Sequence, residues 1–73
     1  MSEELDLHGI KHIDVFKKVD KFIGDNVIKG SSEIKIITGH SPKMKDIVGD
    51  VLKDYNLTYE TSFISDATLI VRL

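Results

Sequence analysis

Leu5-Asp6-Leu7-His8-Gly9 reads as a short β-strand that stops abruptly at a histidine and a glycine. Alternation places Leu5 and Leu7 on one face and Asp6 on the other, and Gly9 makes the following turn sterically easy. A second run, Glu33 to Thr38, is dense in β-branched residues and breaks in the same way, at Thr38-Gly39-His40-Ser41. In this second strand Ile34 and Ile36 share one face and Lys35 and Ile37 the other. Helical patterns follow both breaks, so the two are successive strand-to-helix turns. In parallel βα units such turns line one edge of the sheet, where sites usually form.

From His12 to about Ile28 the apolar residues Phe16, Val19, Ile23 and Val27 step by three or four positions, with Val15 and Phe22 widening the stripe. That spacing predicts an amphipathic helix, stopped by Gly30. Ser41-Pro42 has the form of an N-cap followed by proline at the first helical position. Met44, Ile47, Val48, Val51, Leu52 and Tyr55 then hold one helical face, and Asn56 is a good left-handed terminator. Gly49 lies inside this helix at a cost of about 1 kcal/mol relative to alanine. It either permits a close approach of backbone to sheet or is an exposed glycine without consequence.

Leu57 to Ile64 and Ala67 to Leu73 read as two strands joined by Ser65-Asp66 in a hairpin. The order is therefore βαβαββ, with the first three strands expected to run parallel. Right-handed crossovers in one direction then predict an α/β two-layer sandwich: a four-stranded, mostly parallel mixed sheet with both helices on one face. The other face stays open. Ile37 and Ile70 on it are either a surface for a protein partner or self-association, or scattered surface apolars.

Composition bounds the function. A chain of 73 residues has room for one small domain, residues 1–73, with a thin stability margin. Apolar residues at 41% and charged residues at 30% are ordinary for a soluble globular chain, and no apolar run approaches bilayer length. The acidic start Met1-Ser2-Glu3-Glu4 lacks the basic and apolar regions of a secretion signal, and Met1 favours a free-standing protein. The absence of cysteine excludes a disulfide framework or thiolate metal site and fits a cytoplasmic location. A formal net charge of −2 argues against a generally basic coat for nucleic acid, so any phosphate contact must be local. No P-loop, dinucleotide fingerprint or nucleophile elbow is present.

All three histidines fall at the shared carboxyl edge: His8 at the end of the first strand, His12 at the start of the first helix, His40 in the second turn. Imidazole can pass protons in phosphodiester cleavage, and Asp6 or Asp66 can orient a ring or bind a cation. Asp6 has an equally good structural role, bonding backbone N–H groups to hold its own loop. His12 reads as a surface residue. The histidine spacing matches no zinc motif. Lys43 and Lys45 occupy the first turn of the second helix, where the macrodipole disfavours cations, and a bound anion would reverse that effect. Between Glu33 and Asp46 the only formal charges are Lys35, Lys43 and Lys45. Thr38, Gly39, His40 and Ser41 with these lysines make a candidate phosphate cradle, against the plainer reading of solvated surface lysines.

The motifs also resemble those of a known family, the Smr (small MutS-related) domain. Its first signature, an LDLHG-type strand end, stands intact at Leu5 to Gly9. Its second, an HGxG or TGxG turn, is half kept as Thr38-Gly39-His40, with Ser41 in place of the final glycine. Ala67 to Leu73 resembles the closing strand, usually introduced by a glycine-rich loop, which is Ser65-Asp66 here. The resemblance implies an architecture shared with the C-terminal domain of translation initiation factor 3. It also implies a nucleic-acid-directed function, since such domains nick DNA or cleave RNA endonucleolytically; on that reading contacts at the 38–45 turn position a phosphate backbone, and His8, oriented by Asp6, is the expected catalytic acid or base. RNA would supply its own 2′-hydroxyl as nucleophile, whereas DNA would require water, with Mg²⁺ or Mn²⁺ as a candidate aid. The alternatives are a non-catalytic nucleic-acid-binding module and a protein-interaction domain using the open sheet face.

Overall fold

The computed structural model describes residues 3–73. Its elements are β1 (Glu3–Asp6), α1 (His12–Lys29), β2 (Glu33–Ile37), α2 (Pro42–Asp54), β3 (Thr58–Thr61) and β4 (Thr68–Arg72). The sheet order is β1-β2-β4-β3. β1 and β2 pair in parallel, and β4 is antiparallel to both β2 and β3. β3 therefore runs in the same direction as β1 and β2 while lying across β4 from them. The expected common direction of the first three strands holds, although only one of the ladders is parallel.

Both helices pack against each other and against one face of the sheet. Leu7, Ile34, Ile36, Leu69 and Val71 meet Val15, Val19 and Ile23 of α1 and Met44, Val48, Val51 and Leu52 of α2 in one buried cluster. The result is the two-layer α/β sandwich expected from the element order. On the open face the register aligns Asp6 with Ile37 and Thr68, and Lys35 with Ile70 and Glu60. The half-buried Ile37 and Ile70 thus sit among charged neighbours, with Arg72 bridging to Glu60 at 3.1 Å.

Helix α1 is rotated relative to the expected stripe. Val15, Val19, Ile23 and Asn26 are buried, whereas Phe16 and Val27 are more than half exposed. A polar residue on the inner line disguised it. Asn26 is accommodated there because its amide donates to the Phe22 carbonyl at 2.9 Å and its oxygen accepts from the Ser31 hydroxyl at 2.9 Å. The helix stops as expected at Gly30, with a φ of 81°.

The β3–β4 hairpin also differs. β3 ends at Thr61, so a loop of residues 62–67 replaces the expected tight turn. Two serines explain this, since their hydroxyls offer nearby N–H groups an alternative to the ladder. Ser62 Oγ accepts from the Ile64 N–H at 3.3 Å, and Ser65 Oγ accepts from the Ala67 N–H at 3.2 Å. Phe63 and Ile64, strand-like by composition, are consequently lifted to a loop tip.

Candidate functional site

The parallel β1–β2 ladder is what brings the two glycine turns side by side. It extends one residue past β1, where the Leu7 N–H donates to the Ile37 carbonyl at 2.9 Å. Leu7 is fully buried and anchors the chain just before it turns. The turn closes with the Ile10 N–H on the Leu7 carbonyl at 3.0 Å, and Gly9 has a φ of 79°, a conformation that a side chain would strain. Asp6 Oδ1 accepts from the His8 backbone N–H at 2.8 Å. The carboxylate therefore fixes the turn that carries His8, and the exposed imidazole is presented to solvent from a rigid base. His12 is exposed at the start of α1.

The second turn is fastened to the opposite side. The Thr38 and Gly39 N–H groups both donate to the Ala67 carbonyl, at 2.8 and 3.1 Å. The Thr38 hydroxyl, only 3% exposed as a residue, shares its hydrogen between the carbonyls of Gly39 and Ala67. Ser41 Oγ accepts from the Met44 N–H at 3.2 Å and caps α2 with Pro42 following it, as its sequence position predicts. Within the turn, then, Thr38 and Gly39 shape the backbone and Ser41 holds the helix start.

What remains outward-facing is a set of donors and cations. The backbone N–H groups of His40, Ser41 and Lys43 have no protein acceptor among the described residues. Lys43 is exposed, Lys45 is half-buried, and neither makes an ion pair among the described residues. His40 Nδ1 lies 3.1 Å from Asp66 Oδ1, with both side chains well exposed. Asp66 is thus the carboxylate that orients an imidazole, while Asp6 orients a backbone. The sequence named Asp66 as a candidate for such a role but gave no means of pairing it with His40, 26 residues away.

From β1 through β2 to β4, the edge presents His8, the cationic turn and the loop holding Asp66. Among the described residues no three His, Asp or Glu side chains are grouped so as to hold a metal ion. The Lys29 ammonium, raised above its ordinary pKa by the hydrogen bond and charge of Glu3, lies at the opposite end of β1. It belongs to the scaffold rather than to this edge.

The family model of the Smr domain matches residues 5–66, beginning at the leucine that opens the first turn motif and ending at Asp66. The chain belongs to the Smr domain family. Membership sets it among nucleic-acid-directed, nuclease-like domains. Neither a curated protein nor a solved structure matches the chain. No helix among the described residues is long and apolar enough to cross a membrane.

Proposed function

We propose that this domain binds the phosphate backbone of RNA or DNA at its second strand-to-helix turn and cleaves a phosphodiester with His8. The observation that carries the reading is the juxtaposition of an exposed, turn-mounted histidine with a neighbouring turn where the N–H groups of His40, Ser41 and Lys43 have no acceptor, and Lys43 and Lys45 no ion pair, among the described residues. A phosphate would take the free N–H groups of His40, Ser41 and Lys43, in the field of the α2 N-terminus and the Lys43 and Lys45 charges. Thr38, Gly39 and Ser41 shape that turn, and His40 adds a ring held by Asp66.

With RNA as substrate, the His8 imidazole takes the 2′-hydroxyl proton as that oxygen bonds to phosphorus. The bond to the 5′ oxygen breaks, leaving a 2′,3′-cyclic phosphate, and the leaving oxygen takes a proton from solvent. With DNA, water replaces the 2′-hydroxyl as the nucleophile whose proton His8 accepts. Asp6 acts by fixing the His8 backbone, and so is a positioning residue.

Labelled RNA and supercoiled plasmid test this with the wild type and His8→Asn. The substitution should retain fold and binding but slow cleavage by about 10²–10⁴-fold. A wild type that binds both substrates and cleaves neither, with or without Mg²⁺ or Mn²⁺, refutes catalysis. A second reading, a binding module without chemistry, draws support from the same hydrogen bond: the Asp6 oxygen is engaged by the His8 backbone rather than by its ring. That outcome would leave the phosphate-binding turn in place.

A further inference from the structure

Phe63 and Ile64, at 104% and 94% exposure, are the two most exposed large apolar residues of the described chain. They occupy the tip of the 62–67 loop at the carboxyl end of β3, on the same edge as the cationic turn. The base of this loop is firmly tied. The Ser62 N–H donates to the Thr68 carbonyl at 2.8 Å, the Ala67 carbonyl receives the Thr38 and Gly39 N–H groups, and Asp66 holds His40. A fully exposed aromatic is therefore carried at the tip of a loop whose base is fastened to the turn proposed for phosphate.

We infer that Phe63 is a stacking platform for an unpaired base, with Ile64 beside it, so that the ligand is single-stranded nucleic acid. This rests on the proposed phosphate-binding turn and specifies what that turn binds. A strand whose phosphate sits on the N–H groups of residues 40–43 passes the 62–67 loop, which is tied to that turn at Ala67 and Asp66, and the loop tip offers its bases a flat, exposed apolar ring. A phenyl ring matches one base face, and every base has such a face, so the contact needs no particular sequence. In a duplex those faces are stacked inward and out of reach. A protein partner fits less well. A stable protein interface takes about 800 Å² from each side, whereas this apolar patch ends at two residues flanked by Ser62, Ser65 and Asp66.

Fluorescence anisotropy with labelled oligonucleotides tests the assignment, using a single strand, its duplex, and an abasic strand with the same number of phosphates. Phe63→Ala should weaken single-strand binding roughly 5- to 150-fold, from the measured range for base–aromatic stacking. Phe63→Tyr should retain affinity, and Phe63→Leu should fall short of it because the planar face is lost. The salt slope should stay unchanged, since no phosphate contact is removed. The abasic strand should bind more weakly than the normal one and be indifferent to Phe63→Ala. Melting temperatures should not move, because the ring is fully exposed. Unchanged single-strand affinity in Phe63→Ala, or equal affinity for abasic and normal strands, overturns the stacking site while leaving the phosphate reading intact. A wild type that binds none of the three overturns both.

Discussion

Gly49 sits in the middle of α2, yet it is buried, and an alanine Cβ built there would lie 2.9 Å from Tyr59 Oη and 3.7 Å from Tyr59 Cζ. The close approach is thus to a side-chain tip on β3, and it decides the sign of a substitution. Alanine should gain about 1 kcal/mol of helix propensity over glycine. Against this, the hydroxyl contact is too short to persist, and overpacking of this kind costs about 1–3 kcal/mol. Gly49→Ala should therefore range from neutral to about 2 kcal/mol destabilising, the difference of these two effects. Removing the hydroxyl changes the balance. In Tyr59→Phe the nearest remaining ring atom stands at ordinary van der Waals distance, and Tyr59 Oη has no hydrogen-bond partner among the described residues. Tyr59→Phe alone should accordingly stay within about 0.5 kcal/mol of wild type. Gly49→Ala added to it should stabilise by about 1 kcal/mol, which in a domain of this size raises the melting temperature by roughly 4–8 °C. Thermal and urea unfolding of the four proteins followed by circular dichroism gives the coupling directly. An equal gain from Gly49→Ala in both backgrounds would falsify the placement of Tyr59 over α2. It would also unseat the approach of β3 that carries the 62–67 loop to the edge.

Leu52 is fully buried on the inner face of α2, so Leu52→Ala should cost roughly 2–5 kcal/mol; an unchanged melting temperature would mean the core is assigned wrongly. Replacing Lys43 and Lys45 together by glutamine should weaken binding to all sequences alike and lower the log–log salt slope by roughly 1–2, with helix stability held or slightly improved. Affinity and slope that stay at wild-type values would place the nucleic acid elsewhere. Asp6→Asn preserves an oxygen for the His8 N–H and should keep both melting point and cleavage, whereas Asp6→Ala should lose about 0.5–1.5 kcal/mol with the hydrogen bond. Cleavage lost in Asp6→Asn at an unchanged melting point would assign the charge a direct chemical part.

The legible parts of the fold are those fixed by neighbours in sequence. Ser41-Pro42 caps and opens α2, Gly30 and Asn56 end their helices at φ values of 81° and 57°, and the glycines of both turns have positive φ. Each depends on the conformational range of one residue and a hydrogen bond within a few positions. The face of α1 was less legible because hydropathy alone excludes an asparagine from a buried stripe. Asn26 is permitted there by Ser31, which follows the helix end. The length of β3 is illegible for a related reason. Phe63 and Ile64 favour a strand by composition, but Ser62 and Ser65 redirect the local N–H groups.

The edge divides along the same line between local and distant causes. The Leu5–Gly9 motif carries most of its own geometry, because the Asp6 carboxylate on the His8 N–H, the Gly9 φ and the Ile10 N–H on the Leu7 carbonyl complete the turn among adjacent residues. Thr38 looked like a hydroxyl available to a ligand, yet its partner is Ala67, brought there by the insertion of β4 between β2 and β3. The same insertion sets Asp66 against His40 and puts the Phe63 loop beside the cationic turn. A departure from the family pattern at Ser65-Asp66 therefore has a physical counterpart: where a glycine-rich loop would supply bare backbone, this chain supplies a carboxylate for the adjoining histidine. That pairing couples the hairpin loop to the phosphate-binding turn proposed here. Asp66→Gly should on this reasoning free both, with a loss of binding that Asp66→Asn, still able to accept from the His40 ring, largely avoids.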